Sequence, residues 1–126
     1  MSNIDTVHKF MDAISNRDLA AYRAMCEPDY KLWHSYNQVD MDIDTSIKAL
    51  EMMLRAMPVI EYIDRDIFEA ADRGSVVAQY ICGGRTILDE EVGLYVILRI
   101  YFSERGLLQR VEEYVCLLYT SPSPRD

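Results

Sequence analysis

The sequence predicts an α+β domain in which helices gather on the N-terminal side and an antiparallel sheet follows. Two observations predict it. Before residue 58, most apolar residues recur at helical spacing, in stretches closed by capping and breaking residues. From Ile60 onward they fall into four consecutive strand-like runs with short turns between them. Short turns join antiparallel neighbours, whereas a parallel crossover needs a dozen or more residues.

Taken in order, Ile4, Val7, Met11 and Ile14 share one helical face, with Phe10 beside them. Asn16-Arg17-Asp18 breaks that pattern, and Asp18 is placed to cap a short second helix from Leu19 to Met25. Glu27-Pro28-Asp29 is expected to end it. Tyr30 to Tyr36 alternates and reads as a strand, and Asn37 to Met41 reads as a loop. Asp42 is placed to cap a third helix, whose apolar stripe is Ile47, Leu50, Leu54 and Met57. Met57-Pro58 stops it. The later strands are Ile60 to Ala70, Val76 to Cys82, Val92 to Phe102 and Leu107 to Val115. Their breakers are Asp72-Arg73-Gly74, Gly83-Gly84 and Glu104-Arg105-Gly106. A strongly curved antiparallel sheet with these three helices on its concave face makes a cone, closed at one end and open at the other. Such a concavity is a natural small-molecule site.

Composition narrows the partners. The 126 residues make one domain, large enough to bury a core without disulfides or metal. The net charge of −8 disfavours nucleic acid and anionic membrane surfaces, both of which select clustered Lys and Arg. The longest apolar run, Val92 to Leu98, falls far short of the ~20 residues of a membrane span. The N-terminal residues lack the apolar stretch of a signal peptide. Cys26, Cys82 and Cys116 include no C-x-x-C pair, so a reducing cytoplasm is expected, with Cys26 and Cys82 buried and inert. The acidic stretch Asp40 to Asp44 lacks metal-ligand spacing, and no metal is expected. No Gly-rich phosphate loop is present, so no cofactor is expected either. Residues 116–126, CLLYTSPSPRD, resemble one reading frame of a sequencing-library adapter. The expectation is a domain over 1–115 truncated after Val115, followed by a non-native tail.

Strand parity selects the candidate site. On Tyr30 to Tyr36, Leu32 and His34 share one face, and Lys31, Trp33 and Ser35 share the other. On the last strand, Gln109, Val111, Glu113 and Val115 share the more apolar face, opposite Arg110, Glu112 and Tyr114. Glu113 is therefore expected to point inward between two valines. A carboxyl in an apolar cup holds its proton toward neutral pH. An imidazole, unperturbed near ~6.5, is a ready general base.

The element order, with Leu32-Trp33-His34-Ser35 and Arg110-Val111-Glu112-Glu113-Tyr114, resembles the SnoaL-like group of the nuclear-transport-factor-2-like superfamily. These are relatives of polyketide cyclases, ketosteroid isomerases and limonene epoxide hydrolases. The resemblance spans residues 2–115 and implies a cystatin-like cone and a homodimer formed through the outer sheet face, where Trp33 and Tyr114 are expected. It places His34 where ketosteroid isomerases keep their base, and Glu113 where epoxide hydrolases keep a water-activating Asp. There are departures. Tyr80 and Cys82 stand where epoxide hydrolases have an Arg-x-Asp, and Phe10 stands where the isomerases have an oxyanion-binding Tyr. Neither family's complete machinery is therefore expected.

The resulting expectation is an enzyme without a cofactor, working by acid–base chemistry of isomerase, cyclase or hydratase type on an apolar small molecule. His34, Glu113 and Tyr80 are its candidate catalytic residues, and Leu32, Val111, Leu54 and Cys82 its candidate pocket. The same residues also read as a non-catalytic ligand-binding or dimerisation module, with His34 and Glu113 a satisfied buried pair. Geometry separates the two readings. Catalysis asks that His34, Glu113 and Tyr80 converge on one open cavity, and a scaffold would seal them.

Overall fold

A computed structural model describes residues 2–71 and 74–117. Helix α1, Asn3–Ser15, starts where Ser2 and Asp5 cap each other: the Asp5 amide donates to the Ser2 hydroxyl at 3.1 Å, and the Ser2 amide to the Asp5 carboxylate at 3.3 Å. Helix α2, Leu19–Ala24, is capped by Asp18, which accepts from the Ala21 amide at 3.0 Å. Helix α3, Ile43–Ala56, is capped by Asp42, which accepts from the Thr45 amide at 2.8 Å. The starts of α2 and α3 are where the sequence places them, because a short polar side chain there satisfies amides the helix leaves unpaired.

Strand β1, Cys26–His34, starts earlier than expected and takes in Glu27-Pro28-Asp29. Its register shifts between Cys26 and Lys31, and a bulge is where a strand tolerates proline. Strand β2, Asp40–Met41, pairs with Leu32 and Trp33 in a segment expected to be loop. The remaining strands are β3 (Val59–Ala70), β4 (Ser75–Arg85), β5 (Glu91–Phe102) and β6 (Leu108–Leu117). They form a curved sheet in the order β2-β1-β6-β5-β4-β3.

The expected all-antiparallel sheet needs one correction: β1 and β6 run parallel. No hairpin joins these two strands, so no turn fixes their direction, and β2, α3 and strands β3 to β5 lie between them in the chain. The β3–β6 meander itself is antiparallel throughout. A second correction concerns Gly83-Gly84, which continues β4 where a break was expected. A Cβ on Gly84 would collide with the Val59 carbonyl oxygen, so glycine here permits close approach of β3. A third concerns Gln109. The register between β5 and β6 skips it, turning its side chain outward to donate to Asp29 at 2.8 Å. Fully buried Leu108 takes the inner position instead. Strand β6 continues past Val115 through Cys116 and Leu117, which pair with Tyr95 and Leu94. Residues 118–126 of the expected tail, and Asp72-Arg73 of the β3–β4 turn, lie outside the described residues.

Val7, Met11, Tyr22, Tyr30, Ile100 and Val111, each at most 1% exposed, join α1 and α2 to the sheet. The sheet's edge is pinned by Glu27, which the β1 bulge buries. Arg105 donates Nε–H to Glu27 Oε2 at 3.1 Å and a second hydrogen to Oε1. These charge-assisted bonds, with help from Ser103, lower the Glu27 carboxyl from 4.5 to about 2. A depressed carboxyl pKa stabilises the fold above the unfolded value, and that contribution disappears as pH falls through the folded one. Glu27→Gln should therefore melt at a lower temperature than wild type at pH 7. The gap should close between pH 4.5 and about 2 in thermal melts.

Candidate active site

A cavity of about 380 Å³ lies between the sheet and all three helices. That volume suits a small organic ligand. Its walls are largely apolar, with Phe10, Met11 and Ile14 from α1, Leu50 and Met53 from α3, and Leu94, Val96 and Leu98 from β5.

The parallel β1–β6 pair places the two candidate proton-transfer groups side by side. His34 is the direct partner of Glu113 in the ladder, so both side chains leave the sheet on the cavity face. His34 Nε2 and Glu113 Oε1 are 3.5 Å apart. That is the long edge of hydrogen bonding. The His34 side chain is 11% exposed and that of Glu113 26%, so the pair is sheltered without being sealed. His34 Nδ1 is the one fully buried side-chain N or O atom without a partner among the described residues. The Tyr36 ring packs on the imidazole with centroids 4.9 Å apart.

Tyr80 lies on β4 and is 6% exposed. Burial pushes its phenol well above 10, and the Glu113 charge adds to the shift, so it remains a neutral donor through the physiological range. Cys82, also on the wall, is raised by burial to about 11, and Cys26, packed in the core, to about 12. Both stay thiols at neutral pH and are poor nucleophiles.

Six of the seven residues singled out from the sequence therefore line one cavity: His34, Glu113, Tyr80, Leu32, Val111 and Cys82. Leu54 does not, and this is a correction. On α3 the cavity-facing positions are Ser46, Ala49, Leu50 and Met53, a complete i, i+3, i+4, i+7 set. Leu54 sits about 100° further round the helix. It is buried against the core and borders a separate depression with Arg17, Leu19 and Glu51.

The cavity also holds hydroxyls that the sequence reading passed over. Tyr22 donates to Tyr30 at 2.9 Å and shares a 2.8 Å bond with Ser46, with all three side chains buried. Burial holds the Tyr22 phenol up at about 12 and raises Tyr30 too. Tyr62, on β3, packs edge-on to Tyr80 with centroids 5.3 Å apart. Parity carried a signal for two of these. Tyr30 is in phase with Leu32 and His34, and Tyr62 with Ile60.

Among the described residues no group of three or more His, Cys, Asp or Glu is arranged to hold a metal ion. In the acidic stretch, Asp42 caps α3, Asp40 pairs with Arg110 at 3.1 Å, and Asp44 pairs with Arg23 at 2.7 Å. No helix among the described residues is long and apolar enough to cross a membrane.

No protein-family model matches the sequence, and no curated protein matches it. Solved structures do match. A provisionally assigned polyketide cyclase from Pseudomonas putida KT2440 superposes with a TM-score of 0.77 at 17% identity, over 97% of this chain and 93% of its own. A provisionally assigned SnoaL-like polyketide cyclase from Shewanella denitrificans OS-217 gives 0.74 at 10% identity, over 90% of each chain. The BvnE pinacolase from Penicillium brevicompactum gives 0.78 at 12% identity, over 90% of this chain and 84% of its own. The chain thus has the SnoaL-like, nuclear-transport-factor-2-like fold, and at these identities the likeness is one of fold.

Proposed function

We propose that this protein is a SnoaL-like enzyme that performs acid–base chemistry, of isomerase, cyclase or hydratase type, on an apolar small molecule. One observation carries the reading: His34, Glu113 and Tyr80 line a single apolar cavity, with Glu113 still a quarter exposed. The cone, with its helices on the concave face of a cystatin-like sheet, supplies the dry enclosure. Fold neighbours named as polyketide cyclases and a pinacolase support rearrangement chemistry in such a cavity.

In this reading His34 takes a proton from carbon or from water, and the Glu113 carboxylate stabilises the imidazolium that forms. Tyr80, held neutral, donates to the oxygen on which negative charge develops. The chemistry needs no cofactor, because the proton acceptor, the hydrogen-bond donor and the charge that stabilises the imidazolium are all side chains. The alternative is a ligand-binding or dimerisation module of the same fold, and the mutual contact of His34 and Glu113 favours it. The test is a panel of apolar ketones and lactones, assayed for binding and turnover with wild type and His34→Ala. Binding without turnover anywhere in the panel would favour the module.

The proposal extends to a cytoplasmic homodimer whose domain is residues 1–115, with 116–126 non-native. On the outer sheet face, Ile81 lies between Ile63 and Tyr95, and Ile97 beside Tyr114, with Ile63, Tyr95, Ile97 and Tyr114 all exposed. Trp33 packs on Tyr114 at 5.3 Å. An exposed apolar patch of this kind marks an association surface. Sedimentation should give a dimer at high micromolar concentration, and a monomer there would contradict the assignment.

A further inference from the structure

The mechanism above uses one phenol, whereas the cavity wall offers two. Tyr62 and Tyr80 come from adjacent strands, and their rings meet edge to face at 5.3 Å with planes 79° apart. Neither hydroxyl has a hydrogen-bond partner among the described residues. Both residues line the cavity. The single fully buried, unpartnered side-chain polar atom in the described residues is His34 Nδ1. The Tyr62 and Tyr80 oxygens are therefore not sealed off and remain open to a molecule in the cavity. A phenol on an apolar wall without a protein acceptor is an unused donor.

We propose that Tyr62 is a second donor beside Tyr80, and that the two hydroxyls together bind one carbonyl oxygen of an apolar ring ketone or ester. The inference deepens the acid–base reading and rests on it for the chemistry, though not for the binding. Two donors converging on one oxygen stabilise an enolate better than one, because both are in place before the charge develops. No proton need leave either tyrosine. His34 removes the proton, and the phenols hold the oxygen that gains the electron density.

The surroundings agree. Burial raises both phenols, keeping them as donors, and the Tyr80 phenol is raised further by its Tyr62 neighbour. Arg65 acts in the opposite sense on both, so its positive charge is felt where the oxygens lie. Arg65 is fixed by the β3 bulge, donating to the Tyr62 carbonyl at 2.8 Å and to Asp12 at 2.8 Å, with His8 Nδ1 at 3.1 Å. The Glu113 charge acts more strongly on both phenols and in the opposite sense, so the two hydroxyls, rather than Arg65, carry the stabilisation of a substrate oxygen.

The test compares 2-acetylnaphthalene, labelled with carbon-13 at its carbonyl, with 2-ethylnaphthalene, which has nearly the same shape and no acceptor. Wild type should prefer the ketone, and its bound carbonyl stretch should fall below the value in hexane. Tyr62→Phe should lose about tenfold in ketone affinity and part of that shift, while leaving 2-ethylnaphthalene affinity unchanged. Tyr80→Phe should behave alike. His34→Ala should still bind the ketone with its shifted stretch, so loss of catalysis and loss of this donor pair are told apart. Equal affinity of wild type for the two compounds would overturn the proposal. So would a Tyr62→Phe variant that changes neither affinity or lowers both equally, since the latter is packing alone.

Discussion

His34→Ala should lower turnover by about 10²- to 10⁴-fold while the protein stays folded, the range set by losing one positioned acid–base group. The fold should survive for reasons visible around the imidazole. Nδ1 has no partner to lose, and Nε2 reaches Glu113 only at 3.5 Å. The space vacated adjoins the existing cavity rather than opening a closed void, so the usual cost of an empty core void is reduced. What is lost is the ring contact with Tyr36 at 4.9 Å. Circular dichroism and a melt within a few degrees of wild type would accompany the activity loss. An unfolded variant would mean that His34 is a structural residue, and the acid–base reading would lose its base.

Gly84→Ala should be the most destabilising small substitution in the sheet. The added methyl would collide with the Val59 carbonyl oxygen and lie 2.9 Å from Met57 Cε and 3.0 Å from the Val59 carbonyl carbon. The methionine end can swing away. The Val59 backbone cannot move without disturbing the ladder, in which Val59 faces Arg85 and Ile60 faces Gly84. Overpacking of this kind costs about 1–3 kcal/mol, and for a domain of this size that lowers Tm by roughly 4–11 °C. Gly83→Ala is the control. Its methyl would lie 3.9 Å from the Val92 carbonyl oxygen, an ordinary contact. Equal melting temperatures for the two variants would contradict the close β3–β4 approach.

Local chemistry made much of this molecule legible in its sequence. Asp18 and Asp42 announced their helices because capping is settled within four residues. Alternation placed Leu32, His34, Val111 and Glu113 on one face, because strand parity needs no tertiary knowledge. The errors arose where the decisive partner is distant in the chain. Pro28 reads as a breaker until β6 is seen pairing across a bulge. Gly84 reads as a turn until the Val59 carbonyl is seen against it. Leu54 fits the apolar stripe of α3 as well as Met53 does, and only the direction of the cavity separates them. Tyr62 carried the right parity, yet its worth as a donor depends on Tyr80, a residue of another strand.

The central claim is that His34 moves a proton on a molecule held in this cavity. Its most direct measurement is hydrogen–deuterium exchange at the methyl group of 2-acetylnaphthalene in heavy water, followed by proton NMR. Wild type should accelerate exchange saturably, and His34→Ala should return it nearly to the buffer rate while still binding the ketone. Saturable binding by wild type with exchange no faster than in buffer would contradict the account and leave the cavity a binding site.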